Sequence, residues 1–472
     1  MIDPLDVPCF AIVGHPNEGK SSVVSTLAED DQVRISEVPG ETVATRAYPV
    51  RVNDREIIRF LDTPGFQHPH RMLDWMRKHV EPSRNLALEF LENHFQSTEF
   101  VQDLELLRPL ADGSGVIYVV DTSRPVRPHD LAEMEILRLT GNPRMAVLNP
   151  KENEPAFLAD WHSACARCFN STRIFNAVRA TFAERIALLE SLKGIHQPWE
   201  GALADAIRAF QEDWEHRIRR VIIVISEFLR DAMTHSCRRN VFDPAGEDQA
   251  RIELVAEYQE SIRRIEGSAQ VEICRLYKHN IFQPKLEDHS ILREDLFTEK
   301  TWQWLGLNRR QVAAAAAVLG AGAGIKLDLV FGHLTFGLFT LSGAALAAAA
   351  AWFRGENMAR ARVQKLRLGG VQIVVGPNRN PQFPFVLLDR LLLFYRLTIN
   401  WAHARREEPI PISTGPEEAK AGLTAGWSVE RRKICLRYLR SISRSNRQKQ
   451  EHAASEFTEM IRAVLRELSD AN

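Results

Sequence analysis

An excess of charge is the first thing this chain lacks. Its 60 Lys and Arg stand against 61 Asp and Glu, a net charge of −1. With no global field, the chain as a whole is not built to gather nucleic acid or an acidic partner. Cysteine is scarce too. Six in 472 residues, at positions 9, 165, 168, 237, 274 and 435, make no disulfide framework and fit a reducing, cytoplasmic compartment. The Cys165-x-x-Cys168 pair with His162 lacks the second ligand pair of a zinc site, so a helix-surface coincidence is the expectation. No basic stretch precedes an apolar one in MIDPLDVPCFAIVG, so no secretory signal is expected. No repeat recurs at a fixed period. What the chain does have is length enough for two or three domains with cores of their own.

Up to about residue 180, short apolar runs alternate with stretches of helical period. CFAIVG (9–14), IIRFLD (57–62), GVIYVVD (115–121) and RMAVLN (144–149) are continuous rather than alternating, as strands buried on both faces of a parallel sheet are. The intervals between them accommodate crossover helices, which predicts a doubly wound α/β domain over residues 1–180. Residues 71–110 exceed one crossover and predict a helical insertion. From 181 to 472 the period becomes that of long amphipathic helices, predicting a mainly α-helical second domain.

Gly14-His15-Pro16-Asn17-Glu18-Gly19-Lys20-Ser21-Ser22 satisfies G-x-x-x-x-G-K-[ST] between a strand signal and a helix signal. Glycines let backbone N–H groups close around phosphates, Lys20 brings charge to the β/γ oxygens, and Ser21 offers a hydroxyl to Mg²⁺. In FLDTPGF, Asp62 follows a strand signal, where an aspartate holds Mg²⁺ through water, and Gly65 is placed to offer its N–H to a γ-phosphate. Between the two lies VPGETVATR, where Thr42 or Thr45 can close over the metal in the triphosphate state.

GHPNEGKSS, the Thr45-Arg46 pair and D-T-P-G together resemble the Era/TrmE/EngA-like GTPases over roughly residues 8–180. The resemblance implies a Mg²⁺-dependent P-loop GTPase of low intrinsic activity, with Thr45 rather than Thr42 as the switch threonine. It also implies that Asn17 accompanies a bound K⁺ in place of an arginine finger, and that pairing of two such domains or another partner speeds turnover. Phe66 follows D-T-P-G, so no glutamine is available at that position to orient water. The family reads guanine with Asn-Lys-x-Asp. Here the loop is Asn149-Pro150-Lys151-Glu152: Asn149 is kept, Pro150 replaces the lysine, and Glu152 falls at the position of the aspartate. Asn176-Ala177 matches the family's last nucleotide-contacting element. Glu152 either reaches the guanine edge or lies in a turn that makes no base contact.

Residues 312–353 form an Ala/Gly-rich apolar region, and from Leu329 to Phe353 there are 25 residues without a charge. Such a run either enters a bilayer or docks on one, possible at the inner membrane, or it forms a buried hairpin. GPNRNPQFPFVLLDRLLLFYRLTINWAHARR (376–406) is similar to the core of a bacterial family of Era-like GTPases with a C-terminal domain of unknown function (number 3482). Asp389-Arg390 within it reads as a surface or buried pair rather than a catalytic one. The tail 430–449 has eight Lys or Arg against one Glu and predicts a basic helix, lying on an anionic membrane or solvated. Three functional expectations follow: a GTP switch coupled to a membrane or membrane partner, an Era-type RNA or ribosome-assembly GTPase, or a dynamin-like remodelling protein. The near-neutral charge and the lack of a basic G-x-x-G loop after residue 180 count against nucleic acid.

Overall fold

The computed structural model describes residues 7–30, 42, 44–52, 55–80, 85–151, 156–279, 362–365, 371–378, 380, 382–401, 422–442 and 447–470. In chain order its first elements are β1 (Cys9–Val13), α1 (Lys20–Ala28), β2 (Arg46–Val52), β3 (Arg55–Asp62), α2 (Pro69–Lys78), α3 (Leu86–His94) and α4 (Val101–Ala111). There follow β4 (Gly115–Asp121), α5 (Pro128–Leu139), β5 (Arg144–Asn149), α6 (Leu158–Cys165), β6 (Ser171–Ile174), α7 (Phe182–Lys193) and α8 (Glu200–Thr234). Six strands make one sheet in the order β2-β3-β1-β4-β5-β6, parallel except for β2, which runs antiparallel to β3.

β1, β4 and β5, three of the apolar runs, are strands covered on both faces, whereas β3 buries Ile58 and Phe60 on one face and leaves Arg59 exposed on the other. Along β1, Phe10 and Ile12 enter a core shared with α1, α7 and α8, while Ala11 and Val13 enter one shared with α2 to α6. Three helices, α2, α3 and α4, stand between β3 and β4 where the sequence predicts an insertion. β2 carries no such run. It is an edge strand, largely exposed, with Pro49 in it, which an edge tolerates.

The first core does not stop at residue 180. Leu188, Leu189 and Leu192 of α7, and Leu203, Ile207 and Phe210 of α8, close the sheet's second face. Beyond Arg217 the same helix changes cores. Its residues Ile218 to Ala232 pack with α9 (Glu247–Leu276), α10 (Phe383–Ile399), α11 (Val429–Ile442) and α12 (Arg447–Asp470). One 35-residue helix therefore belongs to both domains. The second domain also has a small antiparallel sheet, β7 (Cys237–Val241), β8 (Arg362–Lys365) and β9 (Val371–Val375), in the order β7-β9-β8.

Asp389 and Arg390 sit at the centre of the second domain, both buried, and do not serve each other. Asp389 accepts hydrogen bonds from Thr424 N (2.6 Å) and Thr424 Oγ1 (2.8 Å), while Arg390 pairs with Glu266 at 2.6 Å. The described part of the basic tail turns its apolar side to the core and leaves Lys433, Arg437 and Arg440 exposed. Tyr438 of α11 stacks on Phe457 of α12 with ring centroids 4.2 Å apart, Ile434, Leu439 and Ile442 pack on the core, and Glu456 and Glu467 of α12 pair with Arg437 and Arg431. Its apolar stripe is spent inside the domain. Among the described residues no helix is long and apolar enough to cross a membrane. The segment 312–353 lies outside them.

Two expected outcomes follow from this packing. Phe210→Ala, thirty residues beyond the predicted boundary, loosens the first core; chemical denaturation is expected to show a loss of about 3–5 kcal/mol. Burial pushes the Asp389 carboxyl up to about 7, against the opposing pull of Thr424 and Arg432. Between about pH 4 and 7 the folded chain then holds a proton that the unfolded chain has released, so stability falls as pH rises through that window. The effect is on the order of 4 kcal/mol. Asp389→Asn, which keeps an oxygen for Thr424 N, is expected to flatten that slope in denaturation curves taken across the window.

Candidate nucleotide site

The loop between β1 and α1 is shaped by backbone constraints. Gly19 caps α1 at φ 91°, a left-handed conformation, and a Cβ there would lie 2.4 Å from Asn149 Nδ2. Only glycine meets both demands. α1 has no side-chain cap and no acidic residue in its first turn, where Lys20, Ser21 and Ser22 stand, so its free N–H groups face the loop. Lys20 is buried, and its Nζ donates to His15 O at 3.0 Å. Burial lowers its pKa; Asp62, Glu133 and Glu18 oppose that and favour its charged form.

Across from the loop, Ser21 Oγ donates to Asp62 Oδ2 at 2.8 Å. Asp62 Oδ1 is buried and has no hydrogen-bond partner in the structure. Burial raises the Asp62 pKa, with Ser21, Lys20 and Arg46 opposing. An orphaned carboxylate oxygen beside a hydroxyl is an all-oxygen donor set, which suits a hard divalent cation such as Mg²⁺. Thr63 ties the D-T-P-G turn to Ile12 O at 2.7 Å, and the turn then passes directly over Pro16: a Cβ on Gly65 would lie 2.5 Å from Pro16 Cδ. Phe66 is buried, and the exposed Gln67 folds its amide back onto Gly65 O at 3.0 Å.

Asn149 joins three pieces of the site. Its Nδ2 donates to Glu18 O (3.1 Å) and its Oδ1 accepts from Ala177 N (3.1 Å), while Asn176 donates to Pro150 O at 2.8 Å. Lys151, one residue late in the sequence, lies against the phosphate loop: its Nζ donates to Asn17 O at 3.0 Å and pairs with Asp121 at 2.8 Å. Burial would raise Asp121's pKa, yet Lys151 and Ser123 outweigh it and hold the carboxyl below its usual range. Glu152 lies outside the described residues.

Thr45 is elsewhere. Its hydroxyl donates to Glu105 O in α4 at 2.9 Å, instead of standing with Ser21 and Asp62. Thr42 is half-buried on the same segment.

Polar groups at the motif's variable positions, and others outside it, are also tied down. Glu18, in the phosphate loop, accepts from Asp121 N and pairs with Arg124, which also binds Asp130 at 2.7 Å. His15 Nδ1 lies 3.1 Å from the buried Glu133, whose other oxygen accepts from Tyr118 OH at 2.9 Å. At the far end of α1, Glu29 is buried with Arg185 (2.6 Å), Arg217 (2.6 Å) and Lys278 (3.1 Å). Burial would raise its pKa, but the three cations hold it well below the carboxylate range. The signals that could have found these are a strand ending in Asp (GVIYVVD) and acidic residues inside or closing the phosphate-loop segment. Cys165 is buried against Met134, all six cysteines are free thiols, and no group of residues fit to hold a metal ion through His, Cys, Asp or Glu clusters occurs among the described residues.

Residues 9–150 match the family described as "50S ribosome-binding GTPase", and residues 162–466 match "Domain of unknown function (DUF3482)". GTPase Der of Nitrosococcus oceani is 29% identical over 120 residues, 24% of this chain and 25% of that protein. The probable GTP-binding protein EngB of Acidobacterium capsulatum is 26% identical over 147 residues, 30% of this chain and 60% of that one. The chain thus spans about a quarter of the length of the Der relatives it matches. A solved structure of Era with MgGDPNP and 16S ribosomal RNA is 20% identical, covers 40% of this chain and 57% of its own, and has a TM-score of 0.30. The second match takes in well over half of the sequence, and the chain belongs to the DUF3482 family, with a P-loop GTPase domain ahead of that region.

Proposed function

We propose that this chain binds GTP with Mg²⁺ and hydrolyses it slowly, as a switch read out by its helical domain. The observation that carries this is the Ser21–Asp62 pair with its orphaned Oδ1, set at the uncapped start of α1 beside the buried Lys20. Phosphate oxygens would take over the free N–H groups of α1, and Lys20 would leave His15 O for the β/γ oxygens. Ser21 and Asp62 would hold Mg²⁺, which neutralises charge developing on those oxygens. Gly65, over Pro16, would present its N–H to the γ-phosphate. The phosphorus–oxygen bond to the β-phosphate breaks as water adds, and no side chain in the D-T-P-G segment aims a base at that water: Phe66 is buried and Gln67 is turned onto Gly65. This supports low intrinsic turnover. Asn17 is the candidate K⁺ ligand.

Guanine preference is supported by Asn149, which locks the base-side loop to Glu18 and Ala177, and by Lys151, which takes up a place along the phosphate loop despite Pro150. For the output, the charge-free run Leu329–Phe353 supports a membrane surface or membrane partner. The "ribosome-binding" description of the N-terminal family supports the second reading, a ribosome-associated GTPase.

Calorimetry with GTP, GDP and ATP, in K⁺ and in Na⁺, is expected to show binding of guanine nucleotides in preference to ATP, and turnover faster in K⁺. Equal binding of ATP would sink the guanine assignment. Asp62→Ala is expected to lose the difference that EDTA makes to triphosphate affinity in the unaltered protein, a loss of roughly tenfold or more from one charged contact. An EDTA response undiminished in the variant would show that Asp62 is not the metal-side carboxylate.

A further inference from the structure

α4 is the last of three helices where a crossover from β3 to β4 needs one, and it touches both Thr45 and the segment just beyond Gly65. Asp103, fully buried, accepts from Gln67 N (2.8 Å), His68 N (3.4 Å) and His68 Nδ1 (3.1 Å), and so holds the chain just beyond Gly65. Two residues on, Glu105 O accepts from the Thr45 hydroxyl at 2.9 Å. A carbonyl inside a helix ordinarily accepts first from the amide four residues later, and any outside donor must share it. For Glu105 that residue is Pro109, inside α4, which has no N–H and whose ring crowds the carbonyl four positions back. Proline opens one acceptor on α4, and Thr45 fills it.

We propose that Pro109 makes α4 a latch on Thr45. The threonine must give up Glu105 before it can close over the metal and γ-phosphate, so Glu105 and Pro109 are positioning residues that bias the protein toward GDP. This rests on the GTPase reading above. Asp103 holds the second loop against the same helix, so α4 senses both segments that a γ-phosphate would draw inward. Pro109→Ala supplies the missing N–H, which then competes with the Thr45 hydroxyl for Glu105 O and weakens that contact. The fold is not put at risk, since alanine suits a helix interior better than proline.

The latch is read first without nucleotide, by limited trypsin cleavage of the full chain after the exposed Arg46, next to Thr45. One neutral hydrogen bond corresponds to about a fivefold change in an equilibrium. Pro109→Ala is expected to speed that cleavage about fivefold, and Thr45→Val to do the same. The link to nucleotide is read by calorimetry. The ratio of affinities for a non-hydrolysable GTP analogue and GDP is expected to rise about fivefold in Pro109→Ala, and not in the double variant that also lacks the Thr45 hydroxyl. Unchanged cleavage in both folded variants overturns the latch. Faster cleavage with an unchanged affinity ratio overturns its competition with the γ-phosphate. If the unaltered chain binds no guanine nucleotide, the GTPase reading fails and takes the bias toward GDP with it, while the cleavage rates still report whether Pro109 frees the acceptor that holds Thr45.

Discussion

Glu29 carries a negative charge into a place with almost no water, and three cations from three separate stretches of the chain meet it there. A carboxylate so buried is costly unless every lone pair is answered, and removing one partner leaves a charge that nothing compensates. Arg185 comes from α7, Arg217 from the middle of α8 and Lys278 from the turn after α9. Their guanidinium groups are further confined by aromatic faces: Arg185 over Phe182 at 5.4 Å and Arg217 over Tyr277 at 5.6 Å. The helix that ends at Glu29 begins at Lys20. One end of α1 therefore meets the phosphates and the other meets the helical domain, across about 13 Å of rigid backbone.

Around the phosphate loop, ionic contacts replace what a shorter motif would leave to packing. Glu18 is fixed by Arg124 and the Asp121 amide, His15 leans on Glu133, and Asn17 O is held by Lys151. Lys151 shows how a departure from a family pattern can be absorbed. Pro150 takes the place of the lysine, yet the chain delivers an ammonium to the same loop from the next residue.

Most of the first domain was legible because parallel strands covered on both faces must be continuous apolar runs, and β1, β4 and β5 are. Edge strands are not under that constraint, so β2 and β6 left no such mark. Phosphate-site residues were legible because glycine, lysine and a hydroxyl are needed at fixed spacing. Thr45's partner was not, since the carbonyl that Pro109 leaves open lies sixty residues along the chain from Thr45 and meets it only in space. Nor was the packing of the basic tail legible: the carboxylates that pair with Arg431 and Arg437 lie one helix later, where Tyr438 stacks on Phe457. The domain boundary misled for a related reason. Periodicity changes near 180, but a helix with an apolar stripe along its whole length can serve two cores in succession.

That double service gives α8 a mechanical character. Arg217 pins it near its middle, at the seam, and the helix runs on for about 25 Å to Thr234 within the other core. A tilt of some 5° about that pin sweeps the distal end through about 2 Å, the scale of helix shift that repacks an interface. A displacement too small to see at the fulcrum becomes, at the tip of the arm, as large as the gap between two packings.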